Sequence, residues 1–240
     1  MGKGKLLIME GLDGSGKSTQ VKLISEFLSQ NSLKYQYFHF PMYRHNNASE
    51  VIASFLRGDL GDINDVDPYF IGNIYGMDRF LFKPELEKAI EENDVVLLDR
   101  YVFSNLAYQG AKGKEEEQEK IKTWIYDFEF KFLGLPYPDL SIFFDVPMDI
   151  VKERLENKRE GSDRDYLNGK KDIHEADLEF QSRVRDNYLS LVGSSNYKIV
   201  PCAKDQIVDG KKLYTRVFKP EELFESYRSL LNNVLFNTPL

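Results

Sequence analysis

Cysteine is almost absent from this chain. Cys202 is the single one in 240 residues, so no internal disulfide framework can form, and a reducing cytoplasmic setting is expected. Histidine is scarce as well. His39, His45 and His174 are the only three, and none stands in a constellation typical of a catalytic base. Long apolar runs are missing, since uninterrupted ones reach only four residues, which leaves no transmembrane segment or signal peptide to be expected. Positive charge is in deficit. Lys and Arg number 32 against 39 Asp and Glu, for a net charge of −7. That balance argues against nucleic-acid or membrane partners, so any polyanionic ligand has to be held by local Lys and Arg. There is no internal repeat and no low-complexity linker. A hydrophobic content of 42% in 240 residues suits one α/β domain spanning 1–240 with a sizeable core.

What is present begins with Gly11-Leu12-Asp13-Gly14-Ser15-Gly16-Lys17-Ser18, a G-x-x-x-x-G-K-S phosphate-binding loop. The apolar run Leu6–Met9 precedes it, and Val21, Ile24 and Phe27/Leu28 recur behind it at helical spacing. Gly11, Gly14 and Gly16 let the backbone close around phosphate oxygens, with Ser15, Thr19 and the helix start supplying donors. Lys17 is expected to reach the β- and γ-phosphates of a nucleotide and to face solvent without them. Ser18 is expected to ligate Mg²⁺.

Further strand-like runs follow at Tyr35–Phe40, Val95–Leu98, Ile142–Phe144 and Tyr197–Val200, separated by helix-like segments. The alternation predicts a parallel sheet covered on both faces, with ligands at the carboxyl ends of the strands. The third run ends in Asp99-Arg100. The acid is a candidate Mg²⁺ or Mg²⁺-water partner, and the arginine projects into the same crevice, where it can neutralise charge between two phosphates. Residues 153–175 are densely charged, with Gly161 and Gly169 as flexible points, and suit a lid over phosphates. A single helix is expected over 176–192. Asp209-Gly210 predicts a small hairpin over 204–216.

Taken as a set, the phosphate loop, Asp99-Arg100-Tyr101, Ser104, Ala107-Tyr108-Gln109-Gly110, the charged lid and Phe180-Gln181-Ser182-Arg183-Val184-Arg185…Tyr188 resemble the thymidylate kinases, from about residue 5 to about residue 201. The resemblance implies the nucleoside monophosphate kinase fold, a five-stranded parallel sheet of order 2-3-1-4-5. It implies transfer of the ATP γ-phosphoryl group to dTMP with Mg²⁺, and a homodimer. It also carries roles over to particular residues. Asp13 accepts the sugar 3′-hydroxyl, Arg44 meets the acceptor phosphate, and Tyr75 and Arg79 stack on and hydrogen-bond the base. Ser104 and Gln109 add polar contacts to the base, and Tyr108 packs on the deoxyribose. Arg154 stacks on adenine. Gly14 stands where some relatives have an arginine, so the catalytic cation is expected from the lid, as Arg159 first, Arg164 second, with Lys158 also possible. Without the resemblance, Tyr75 reads as a core residue and Arg79 as the partner of an acid such as Asp78.

Three other readings compete. One is a kinase for another nucleotide such as dUMP, or for a deoxynucleoside. Another is a P-loop switch, whose Asn-Lys-x-Asp motif is approached only by Asn157-Lys158-Arg159-Glu160. The third is a nucleotide binder without turnover, which the intact Lys17, Ser18, Asp99 and Arg100 oppose.

Overall fold

The computed structural model describes residues 4–156, 162–167, 169–170, 172–191, 196–208 and 211–237. Its core is a five-stranded parallel sheet of β1 (Lys5–Glu10), β2 (Tyr35–His39), β3 (Val95–Asp99), β4 (Leu140–Asp145) and β5 (Tyr197–Pro201), ordered β2-β3-β1-β4-β5. Every pairing is parallel, with Lys5 opposite Val95, Leu7 opposite Leu140, Tyr35 opposite Val95 and Ser141 opposite Tyr197. β3 and β4 are buried along their whole length, which is why they read as continuous apolar runs rather than alternating ones.

Helices cover both faces, as a parallel sheet requires. They are α1 (Lys17–Gln30), α2 (Asn47–Leu56), α3 (Pro68–Leu81), α4 (Lys83–Glu92), α5 (Val102–Gly110), α6 (Glu115–Tyr126), α7 (Met148–Glu156), α8 (Ile173–Ala176), α9 (Leu178–Ser190) and α10 (Pro220–Phe236). Local chemistry sets their starts. Asp67 caps α3 by accepting from Phe70 N–H at 2.9 Å, with Pro68 in the first turn. The expected single helix over 176–192 is broken, because Asp177 turns extended and caps a new helix through Phe180 N–H. Leu223 and Tyr227 of α10 are buried, and Tyr227 donates to Gln20 Oε1 on α1 at 2.8 Å, tying α10 to the phosphate-loop helix.

Two features shape the ligand side. Helix α6 runs into a π-helical turn, Asp127–Phe132, and Gly76 of α3 lies against it so closely that a Cβ there would stand 2.8 Å from Phe128 Cε1. That approach brings Arg79 of α3 onto Glu129 of the π-turn. On the far side, β6 (Ala203–Val208) and β7 (Lys211–Val217) pair antiparallel, and residues 209–210 lie outside the described set. Of the expected lid, Ser162–Leu167 forms a 3₁₀ turn, whereas Lys158, Arg159 and Gly161 lie outside the described residues, as does the side chain of Arg164.

Candidate active site

The loop between β1 and α1 turns through two left-handed glycines, Gly14 at φ 77° and Gly16 at φ 89°, conformations a side chain would oppose. Gly16 caps α1, so the first amides of that helix open toward the loop. Contrary to the solvent-facing expectation, Lys17 is buried. Its ammonium donates to the Gly11 and Leu12 carbonyls at 3.0 and 3.1 Å. The burial, followed by the nearby Arg100 charge, lowers its pKa to about 8. The lysine thus takes loop carbonyls as surrogate acceptors, weaker partners than a triphosphate.

A cleft of about 430 Å³ opens over this loop. Ser18, Thr19, Asp99, Arg100 and Arg154 line it together with the loop itself, and Cys202, Phe218 and Leu223 form an apolar wall beside β5 and α10. Arg154 is no free surface charge, since its Nη1 donates to Gly14 O at 2.8 Å. Asp99 is buried, and its Oδ1 has no hydrogen-bond partner among the described residues. A buried carboxylate oxygen across from a serine hydroxyl suits Mg²⁺, a hard cation that takes few protein ligands when phosphates supply the rest.

A second, narrower cavity of about 100 Å³ adjoins the first, and Asp13, His39 and Arg100 line both. Its walls include Phe40, Tyr75, Arg79, Asn105, Tyr108, Gln109, Tyr166, Asp172 and His174. Arg100 bridges the two cavities. Its Nη2 donates to Asp13 Oδ1 at 2.8 Å and to Tyr108 OH at 3.2 Å, and Tyr108 OH also reaches Asp13 Oδ2 at 3.2 Å.

At the closed end, Arg79 is buried and forms a fork with Glu129, at 2.5 Å from Nε and 2.6 Å from Nη2. Its acid partner is therefore Glu129, fifty residues on, and not Asp78, which accepts instead from Met42 N–H and Asn46. Nη1 is left for the cavity. Asn105 Nδ2 donates to Gly72 O at 2.9 Å and to Glu129 Oε1 at 2.8 Å, which fixes the amide's orientation. Its Oδ1 is buried and without a partner among the described residues, as are both amide atoms of Gln109. Asn105 and Gln109 thus bring unsatisfied polar atoms to a cavity lined by both aromatic and charged side chains, an expensive arrangement unless a polar ligand completes it.

Several acids and aromatics near the opening escaped the sequence reading. Tyr43 and Tyr166 stack at 4.0 Å with 7° between their planes, and Arg57 donates to Tyr166 O at 2.7 Å. These contacts hold the 3₁₀ turn of the lid against the loop after β2. Tyr166 OH donates to Asp172 Oδ2 at 2.8 Å. Burial, with the Asp13 charge second, raises the Asp172 carboxyl to about 7. Burial likewise lowers His174 to about 3, keeping it neutral against Tyr108 and Phe180.

Two of the expected residues are placed otherwise than the resemblance implies. Arg44 lines neither cavity. It adopts a left-handed backbone at φ 63° and borders a separate recess with Glu50, Arg57 and Asp165, because the turn after Phe40-Pro41 carries Met42-Tyr43 before it. Ser104 lines the inner cavity, but its hydroxyl donates to Glu10 Oε2 and its oxygen receives Arg100 Nη1 at 3.4 Å and lies 2.8 Å from Tyr188 OH. The Ser104 proton is thus committed to Glu10, which leaves the hydroxyl acceptor capacity alone.

With this geometry in place, the chain can be set against known proteins. A family model described as thymidylate kinase matches residues 9–210. The thymidylate kinase of Mycobacterium tuberculosis is 32% identical over 186 residues, covering 78% of this chain and 85% of that protein. The thymidylate kinase of a Thermoanaerobacter species is 31% identical over 221 residues, covering 90% and 95%. A probable thymidylate kinase of Metallosphaera sedula is 31% identical over 195 residues, covering 81% and 83%. Among solved structures, a thymidylate kinase from Candida albicans superposes with a TM-score of 0.67 at 21% identity, covering 97% of this chain and 93% of that one, a likeness of fold.

Proposed function

Because the chain belongs to the thymidylate kinase family, we propose that it transfers the γ-phosphoryl group of ATP to the 5′-phosphate of dTMP, forming dTDP and ADP. The observation that carries the choice of acceptor is the closed end of the inner cavity. Asn105 offers an acceptor and Arg79 a donor there. Thymine presents the matching pair, an N3–H donor beside the O4 carbonyl, whereas cytosine presents an acceptor beside an amino donor. Gln109 adds a free amide and Tyr75 an aromatic face. Tyr108 stands where the sugar passes, and Asp13 is set to receive the 3′-hydroxyl.

ATP fits the outer cleft, with its triphosphate in the Gly11–Thr19 loop and its base between Arg154 and the apolar wall of Cys202, Phe218 and Leu223. Lys17 exchanges its two loop carbonyls for β- and γ-oxygens. Ser18 and Asp99 would hold Mg²⁺, which when bound neutralises phosphate charge. Arg100, at the junction of the cavities, meets the phosphoryl group being transferred and the acceptor phosphate. The acceptor is already an oxyanion near neutral pH, since a second phosphate pKa is about 6, so no general base is required. Catalysis is then positioning plus charge stabilisation, completed by a lid arginine, Arg159 or Arg164. Arg44 is not assigned to the acceptor phosphate in this scheme.

The test is phosphorus NMR of ATP, Mg²⁺ and dTMP with catalytic enzyme. The β- and α-phosphate resonances of dTDP should grow with ADP, and Lys17→Ala should slow their appearance by at least a hundredfold while leaving the fold intact. ADP without dTDP, or a Lys17→Ala variant within tenfold of the parent, would contradict the proposal.

A further inference from the structure

Glu10 is a fully buried carboxylate that the chemistry above does not use. It ends β1, immediately before the phosphate loop, and its bonds run to the segment that carries Arg100 and, through Tyr188, to α9. Oε1 accepts the main-chain N–H groups of Tyr101 at 3.1 Å and Ser104 at 3.2 Å, the first amides after Arg100 and at the start of α5. Oε2 accepts the Ser104 hydroxyl, and also Tyr188 OH of α9 at 3.1 Å.

Arg100 needs such support at both ends. Its backbone is left-handed, at φ 65°, a conformation that costs a branched-chain or long residue about 1 kcal/mol or more unless its surroundings fix it. Its guanidinium is held by Asp13, by Tyr108 and by Ser104 Oγ. Ser104 Oγ is the same hydroxyl that Glu10 orients. A buried anion is costly to keep at this position, and burial raises its carboxyl pKa. Packing alone would be served by an apolar side chain.

We propose that Glu10 is a positioning residue that aims Arg100 at the acceptor phosphate, through the Tyr101 and Ser104 amides on the main-chain side and through the Ser104 hydroxyl on the guanidinium side. This rests on the reading that Arg100 meets that phosphate. Glu10→Gln keeps an oxygen for the two amides and breaks the hydroxyl relay. Ser104→Ala breaks the relay and leaves Glu10 in place.

The experiment compares calorimetric Kd values for dTMP and for thymidine, which differ only by the phosphate. The ratio of the two reports the contacts to the phosphate, and the Arg100→Met variant shows how much of it Arg100 contributes. Arg100→Met is expected to remove most of the preference for dTMP. Glu10→Gln and Ser104→Ala should each shrink that preference about tenfold, with thymidine affinity held within about twofold, and neither should shrink it further in an Arg100→Met background. A residue that merely supports the fold would weaken both ligands together, or add its loss to that of Arg100→Met. Either outcome overturns the proposal, as does an unchanged preference in both variants. If Arg100→Met itself keeps the preference, the phosphate reading fails and takes the proposal with it. Failure of the positioning role alone leaves Arg100→Met still defective. Ser104→Ala carries the same comparison if Glu10→Gln does not fold.

Discussion

In the proposed scheme Arg79 serves the fold and the ligand together. Two of its nitrogens are spent on Glu129 inside the protein, and one is left for the cavity. Removing the arginine therefore does two things. It deletes a donor to the base, and it strands a fully buried carboxylate, a loss of about 3–5 kcal/mol when one partner of a buried pair is removed. Arg79→Leu is expected to unfold correspondingly earlier in urea and to raise the dTMP KM. Adding Glu129→Gln neutralises the stranded charge, so the double variant should regain most of the stability and keep the raised dTMP KM, with the ATP KM little altered in both. An equal rise in both KM values would assign Arg79 to structure alone. Lys17, Asp99 and Arg100 could be singled out by their spacing from a strand end, and Asp13 and Tyr108 only through the family resemblance; all five line the two cavities. Glu129, Asn105 and Glu10 were not legible in the sequence. Glu129 lies fifty positions from its partner in a π-turn that no periodicity marks. Asn105 becomes informative only when two acceptors fix its amide orientation, and Glu10 looks like the last residue of a strand. A sharper reading of the motif could have flagged Asn105, which stands beside Ser104 in it.

Elements carry the next layer. The five core strands and the helices between them were readable because buried parallel strands are apolar runs and their covering helices keep a 3.6-residue period. Boundaries moved where a single cap decided them, as at Asp177, whose side chain starts α9 and splits it from α8. The lid was legible as a charged segment, but charge density does not say which arginine reaches the phosphates. Its described part is latched at the far end, by the Tyr43–Tyr166 stack, the Arg57–Tyr166 bond and an ion pair between Lys170 and Asp59 at 2.6 Å. Gly14 supplies no side-chain cation in the loop, so the lid is the element expected to complete the charge. Of Arg159→Ala and Arg164→Ala, at least one should lower kcat by about two orders of magnitude, with the Kd for ATP changing far less. Near-normal kcat in both variants would reduce the lid to a cover.

At the scale of the whole molecule, the surface and the two cavities make separate demands. Phe70, Phe80 and Leu81 on α3 and Phe132 on the adjoining π-turn are exposed, Phe132 by 79%. Phe70 and Leu81, eleven positions apart, fall on one line of α3 with Phe80 to one side, and the homodimer that the family resemblance implies would be expected to use this face. Sedimentation velocity should show a dimer at micromolar concentration, and Phe70→Glu with Leu81→Glu should leave a monomer. A monomer throughout would oppose this assignment. Arg100 lines both cavities, and in the proposed scheme one of them selects the acceptor while the other holds the donor. The most direct check is kcat/KM with ATP across dTMP, dUMP, dCMP, dAMP and dGMP. dTMP should lead, dUMP should follow because it keeps N3–H and O4, and dCMP and both purines should fall at least a hundredfold below dTMP. Turnover of dCMP or a purine monophosphate equal to that of dTMP would contradict a thymine-reading site.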